Sequence, residues 1–142
     1  MNPPRVVIDT NVLVAAMRSK RGASFRLIQL VDSGKFTASL SVPLVLEYED
    51  ACKRHLAQSA WTIEDIDAVL DYLCAVGHHQ PVYYLWRPYL RDPKDEIVLE
   101  LAMAAGCQRI VTYNSRDFAG VEQFGIRTCT PLEFLQDLGE LP

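Results

Sequence analysis

The sequence predicts an α/β fold with a central, mostly parallel sheet. Short β-branched runs, "VVID", "FTASLS", "RIVTY" and "IRTC", are too brief for helices and recur between longer segments with helical apolar spacing. Strands and helices alternate along the whole chain, as expected when neighbouring parallel strands are joined by helical crossovers. No repeat, low-complexity tract or composition break interrupts the alternation, so the 142 residues are expected to form a single domain, 1–142.

Each element has its own signal. "VVID" is the first strand, and it runs directly into Asp9, Thr10 and Asn11. "NVLVAAMRS" reads as a helix and "SFRLIQLVDSG" as another, which Gly34 is expected to end in the left-handed conformation. After the strand "FTASLS" a helix is expected from about Pro43 to Leu56. "TIEDIDAVLDYLCAVG" puts Ile63, Ile66, Val69, Leu70 and Leu73 on one face, with Thr62 and Asp65 spaced as a capping box. "QPVYYLW" reads as a short edge strand with Pro81 at its start, where a missing donor is tolerated. "DPKDEIVLELAMAAG" is a helix with Asp92 as N-cap and Pro93 at its first position. "RIVTY" is a strand, "NSRDF" a helical turn and "IRTC" the last strand, before Thr130, Pro131 and Glu133 announce the helix "LEFLQDL".

Composition narrows the function classes. Hydrophobic residues make up 49% and charged residues 23%, which is globular rather than disordered. The apolar runs Val6–Ile8 and Val12–Met17 are broken by Asp9 and followed by Arg18, Lys20 and Arg21, so neither a signal peptide nor a membrane span is expected. Cys52, Cys74, Cys107 and Cys129 are scattered without a CxxC pair, which points to reduced thiols in a cytoplasmic protein. His55 stands alone and His78 and His79 have no cysteine nearby, so zinc is set aside. A net charge of −4 argues against nucleic-acid binding by bulk electrostatics. It leaves room for local contacts from "RSKR", "KRH" and the Arg87, Arg91 and Lys94 group.

The informative residues are acids. In an open parallel sheet ligands bind beyond the carboxyl ends of the strands. Asp9 ends the first strand, Asp117 closely follows "RIVTY", and Asp95 starts the helix that leads into that strand. Each acid alone has a plain alternative, since Asp95 and Asp117 stand where the helix dipole and free amides favour a carboxylate. Helical period weakens that alternative for Asp95, which projects between Val98 and Ala102 on one side and Leu99 on the other, inside the apolar stripe. Glu96 and Glu100 are assigned to the polar face. A carboxylate in packed surface requires a partner, and no Lys or Arg at i+3 or i+4 supplies one. On the helix from Pro43, Glu47 and Glu49 border the stripe of Leu44, Tyr48, Ala51 and Cys52 from opposite sides, so periodicity leaves both open. An all-oxygen set without histidine or thiolate suits Mg²⁺ or Mn²⁺.

"VVIDTNVLV", "LVLEYEDACKR", "DPKDEIVLELAMAAGCQRIVTYNSRDF" and "TPLEFL", taken together and in order, resemble the PIN-domain family of metal-dependent ribonucleases, especially the toxins of bacterial toxin-antitoxin pairs. The resemblance covers nearly the whole chain. It implies a three-layer α/β/α PIN-like fold and a Mg²⁺- or Mn²⁺-dependent endoribonuclease with an RNA substrate, a small antitoxin partner and a homodimeric state. By position it implies that Asp9, Glu47, Asp95 and Asp117 form the acidic quartet, which selects Glu47 over Glu49. Thr10, Asn11, Thr112 and Asn114 correspond to the polar residues around the acids. Some relatives carry an acid where this chain has Asn114, so Asn114 and Asp117 both stand for the fourth corner. Asp92 is assigned to capping.

Two other function classes fit the residues less well. An aspartyl-phosphate phosphatase typically carries a second Asp two residues after the first, where this chain has Asn11, and a receiver domain wants a central phosphoacceptor and a late lysine. A PIN-like module that binds RNA or protein without cutting would show a lost acid, and all four are present. Neither an aromatic platform nor a dense basic groove stands out, so tRNA, rRNA and mRNA are not distinguished.

Overall fold

The computed structural model describes residues 3–82 and 89–141. Five strands, β1 (Arg5–Ile8), β2 (Thr37–Leu40), β3 (His78–His79), β4 (Arg109–Val111) and β5 (Arg127–Cys129), form one sheet in the order β3-β2-β1-β4-β5. Every pairing is parallel, with Val6 opposite Ala38 and Arg109, and Ile8 opposite Val111. Helices α1 (Thr10–Arg18), α2 (Ala23–Gln29), α3 (Val42–Arg54), α4 (Ile63–Val76), α5 (Pro93–Ala104) and α6 (Pro131–Asp137) flank it. The α/β fold with a parallel sheet is the one the sequence predicts.

β1 is the central strand, and Val6, Val7 and Ile8 are almost wholly buried. β-branched side chains with no polar alternation suit a strand covered on both faces. The core continues through Leu13 and Met17 of α1, Leu27 of α2, Leu44 and Tyr48 of α3, Ile66, Leu70 and Leu73 of α4, and Val98, Leu99 and Leu101 of α5. Tyr48 also donates its hydroxyl to the Ile8 carbonyl, which ties α3 to the end of the central strand. Among the described residues no helix is long and apolar enough to cross a membrane.

The caps follow the sequence. Thr62 with Asp65 and Thr130 with Glu133 form reciprocal capping boxes, and Asp92 accepts from the Lys94 amide ahead of Pro93. Four expectations need correction. α2 ends at Gln29, so Gly34, although left-handed at φ 83°, turns the loop five residues later rather than ending the helix. Ile63 is 48% exposed, because the first turn of α4 overhangs the core that Ile66 enters. Glu96 is buried, not on a solvated face. The edge strand is His78–His79, ahead of "QPVYYLW"; residues 80–82 are not strand, and the rest of that segment, 83–86, lies outside the described residues. Gly77 explains the earlier start: a Cβ there would lie 2.7 Å from Leu40 Cδ1 and from the Leu73 carbonyl oxygen, so only glycine lets the chain turn from α4 straight onto β2.

Candidate active site

The strand order reverses at β1, which has β2 on one side and β4 on the other, and a crevice opens beyond the carboxyl ends of these strands. Asp9 is the first residue past β1 and the N-cap of α1. One carboxylate oxygen accepts from the Thr10 amide at 2.8 Å and the other from the Thr112 hydroxyl at 2.7 Å. The side chain is nearly buried, at 7% exposure. Burial raises its pKa, the bonds from Thr112 and Thr10 oppose the rise, and the charges of Asp117 and Glu47 add to it.

Thr112 is the hub of the surrounding network. Its oxygen accepts from the Asn11 side-chain amide at 3.3 Å and from the Asn114 backbone at 3.0 Å, while Asn11 Oδ1 accepts from the Tyr113 amide at 3.4 Å. The end of β1 and the turn after β4 are thereby locked together.

Asp9, Thr10, Asn11, Glu47, Asp92, Asp95, Asn114 and Asp117 all line one open pocket of about 490 Å³; Thr112 lies buried behind it. Glu47 rather than Glu49 faces this space, and Glu49 instead pairs with Lys53 at 3.7 Å. Asp95 stands one turn before the buried Val98 and Leu99. Its carboxyl is pushed up to about 7, first by burial and then by the charges of Asp117, Asp9 and Asp92. Asp117 rides on the exposed helical turn Ser115–Phe118, whose Phe118 is the buried anchor. Asn114 and Asp117 both reach the pocket, so the fourth corner has two candidates.

Charge is unevenly balanced here. Glu47 meets Arg54 at 3.4 Å and Lys94 at 3.6 Å. Among the described residues Asp9, Asp95 and Asp117 have no ion pair. Arg18 and His55, hydrogen-bonded to each other at 3.3 Å, line the pocket between α1 and α3. Arg87 lies outside the described residues, and Arg91 borders an adjoining pocket with Asp95, Arg116 and Asp117.

Asp9 and Asp95, partly withdrawn from water and raised in pKa, and the exposed Asp117, whose charge adds to both shifts, fit a hard divalent cation, and the neighbouring donors are hydroxyl and amide oxygens. The acids are not drawn into a finished cage: among the described residues no three His, Cys, Asp or Glu side chains converge as a ready metal site. They stand instead within electrostatic reach around a shared space.

Two residues carry roles that the sequence did not disclose. Glu96 accepts from the amides of Tyr89 at 3.2 Å and Leu90 at 2.7 Å, fastening the chain ahead of α5 to the helix. Tyr113 is exposed on the pocket rim, with its hydroxyl 2.6 Å from Ser24 Oγ. Its position between two polar site residues at a strand end was the available signal. A larger groove of about 760 Å³ lies at the opposite ends of the strands, lined by Arg5, Thr37, His78 and Arg109, and shares no residue with the acid pocket.

Comparison with known proteins agrees with the architecture. Among solved structures, the crystal structure of VapBC2 from Rickettsia felis, bound to a DNA fragment from their promoter, matches with a TM-score of 0.57 at 12% identity, over 89% of this chain and 98% of that one. At that identity the likeness is one of fold. No curated protein matches in sequence. The profile of the PIN domain matches residues 5–116, a span that holds Asp9, Glu47 and Asp95 and stops one residue short of Asp117. Because that match runs from β1 through the turn after β4, across most of the chain and the elements around the pocket, the chain belongs to the PIN domain family.

Proposed function

We propose that this protein is a Mg²⁺- or Mn²⁺-dependent endoribonuclease that cleaves RNA phosphodiester bonds, and that it is the cytoplasmic toxin of a toxin-antitoxin pair. The observation that carries the catalytic reading is the gathering of Asp9, Glu47, Asp95 and Asp117 on one pocket at the strand-order switch, with three of them unpaired among the described residues. Membership of the PIN domain family supports the reaction class. The fold shared with VapBC2 supports an antitoxin partner, and the sequence resemblance adds a homodimeric state.

The residues divide the work by their surroundings. Asp9, held at both oxygens and buried, is the fixed donor. Asp95 and Asp117 face it from α5 and the turn after β4. Glu47 is the exchangeable donor, since its bonds to Arg54 and Lys94 are long and these cations are half exposed. A cation held here would take Glu47 as one of its donors, which would leave Lys94 available to phosphate oxygens while Arg54 keeps its pair with Asp50 at 3.1 Å. An ion bound by these acids would supply Lewis-acid chemistry, lowering the pKa of a water and offsetting charge on the phosphate. Thr10, Asn11, Thr112 and Asn114 hold the acids and their turns in place.

Cleavage of total RNA by purified protein in Mn²⁺, compared with EDTA and with Asp9→Asn, tests the reaction. Wild-type protein that leaves RNA intact with both Mn²⁺ and Mg²⁺ would be a PIN-like binding module instead. Growth arrest on expression, relieved by a small protein encoded alongside, tests the toxin reading. Sequencing of the RNA ends produced after brief expression identifies the target.

A further inference from the structure

We infer that Tyr113 is a nucleobase platform, on which a base adjoining the cleaved phosphate stacks when single-stranded RNA lies in the acid pocket. This rests on the RNA reading above and deepens it by assigning a base-binding residue. Tyr113 is 47% exposed and lines the same pocket as Asp9, Asn11 and Asp95. An exposed aromatic ring is unremarkable alone, but this one is fixed at both ends. Its hydroxyl lies 2.6 Å from the oxygen of Ser24, a serine of α2 that is 2% exposed. A buried hydroxyl requires a partner, and here the tyrosine provides it. Its backbone amide donates to Asn11, whose own amide reaches Thr112, and Thr112 donates to Asp9. A short hydrogen-bonded chain therefore sets the distance from the ring to the acid that anchors the site.

A rigid ring beside a phosphate-processing pocket has the chemistry to hold a base. Every base offers a π-face, so stacking gives affinity with little sequence preference, and an aromatic carries little rotamer entropy to lose on binding. Arg18, Arg54 and Lys94 line the same pocket and offer positive charge to the backbone. The ring and the cations thus line one pocket with the acids, as a strand passing the carboxylates requires.

The test measures anisotropy of two labelled strands, oligoadenylate and an abasic ribose-phosphate chain of equal length, with Ca²⁺ in place of Mn²⁺. Wild-type protein is expected to prefer oligoadenylate by roughly tenfold, within the range of one stacked base. Tyr113→Ala should bind both strands as wild type binds the abasic one, whereas Tyr113→Phe, which keeps the ring, should retain most of the preference. Thermal melts of each variant check that the fold is kept. Equal losses on the two strands in Tyr113→Ala, or no loss on either, would overturn the platform while leaving RNA binding intact. Wild-type protein that binds both strands without preference overturns it too, and wild-type protein that binds neither defeats the RNA reading itself.

Discussion

Asp9 and Thr112 show how a single residue's surroundings decide its work. The hydroxyl that holds Asp9 also receives Asn11 and the Asn114 backbone, so replacing it disturbs one pocket acid and two turns at once. Thr112→Val should lower RNA cleavage by about 10- to 100-fold, the usual cost of losing a partner behind a ligand. Asp9→Asn, Glu47→Gln and Asp95→Asn should each cost more than about 100-fold, and pairs of them little more than one, as for groups that act as a unit. Steady-state cleavage rates check both statements; full activity in Asp95→Asn would remove that residue from the site. Asp92→Asn should matter little, because asparagine caps about as well. Legibility at this scale was uneven. Asp95 could be read because helical period placed a carboxylate among Val98, Leu99 and Ala102, all of which are buried. Glu47 could not be separated from Glu49 by periodicity, since both border the stripe and only the packing of α3 decides which faces the pocket. Glu96 misled, because a helix position is polar or buried according to what the preceding chain lays over it.

Elements were legible wherever local chemistry sets them. Capping boxes at Thr62 and Thr130 and the Asp92–Pro93 start are local, and they appear where the sequence puts them. The edge strand was displaced because its start depends on Gly77 clearing Leu40, a contact between elements far apart in sequence. Gly34 gives a helix-end signal without being one, because a left-handed glycine near an apolar run looks the same whether the helix reaches it or stops earlier. α5 supplies the element-scale prediction. Its Glu96 carboxylate takes two backbone amides from the segment leading into the helix. Glu96→Ala leaves those amides without their acceptor and should cost about 1 to 3 kcal/mol of stability in urea unfolding. Since the same segment leads to Asp92 and Asp95, cleavage should fall with it. Unchanged stability in Glu96→Ala would mean that water replaces the carboxylate at no cost.

At the scale of the whole molecule, the fold brings like charges together from parts of the chain more than a hundred residues apart, and this should register in its stability. Asp95 sits at about 7 in the folded protein, against an ordinary 3.8, and Asp9 is also raised. The folded state therefore binds protons that the unfolded chain has released, so this contribution to stability is full below about pH 4, declines as pH rises, and is gone above about pH 7. Asp95→Asn removes the term while keeping the shape. In EDTA the variant should match the wild type near pH 4, where Asp95 is protonated in the folded protein and only beginning to ionise in the unfolded chain, and melt progressively higher toward pH 8, where the folded wild type holds the repelling charge. The difference expected is a few degrees, since each kcal/mol moves the midpoint by roughly 3 to 5 °C in a chain of this size. A divalent cation should reverse the order. Ligand that binds only the folded state stabilises by RT ln(1 + [L]/Kd), about 1.4 kcal/mol at ten times Kd. Wild-type protein at pH 8 should then gain several degrees with Mn²⁺ and the variant much less. A helix-start acid with no part in a metal site would behave in the opposite way, because losing it removes a favourable interaction with the dipole. An Asp95→Asn protein that melts lower at pH 8 in EDTA, and still responds fully to Mn²⁺, would return Asp95 to that role and leave Asp9, Glu47 and Asp117 to account for the pocket.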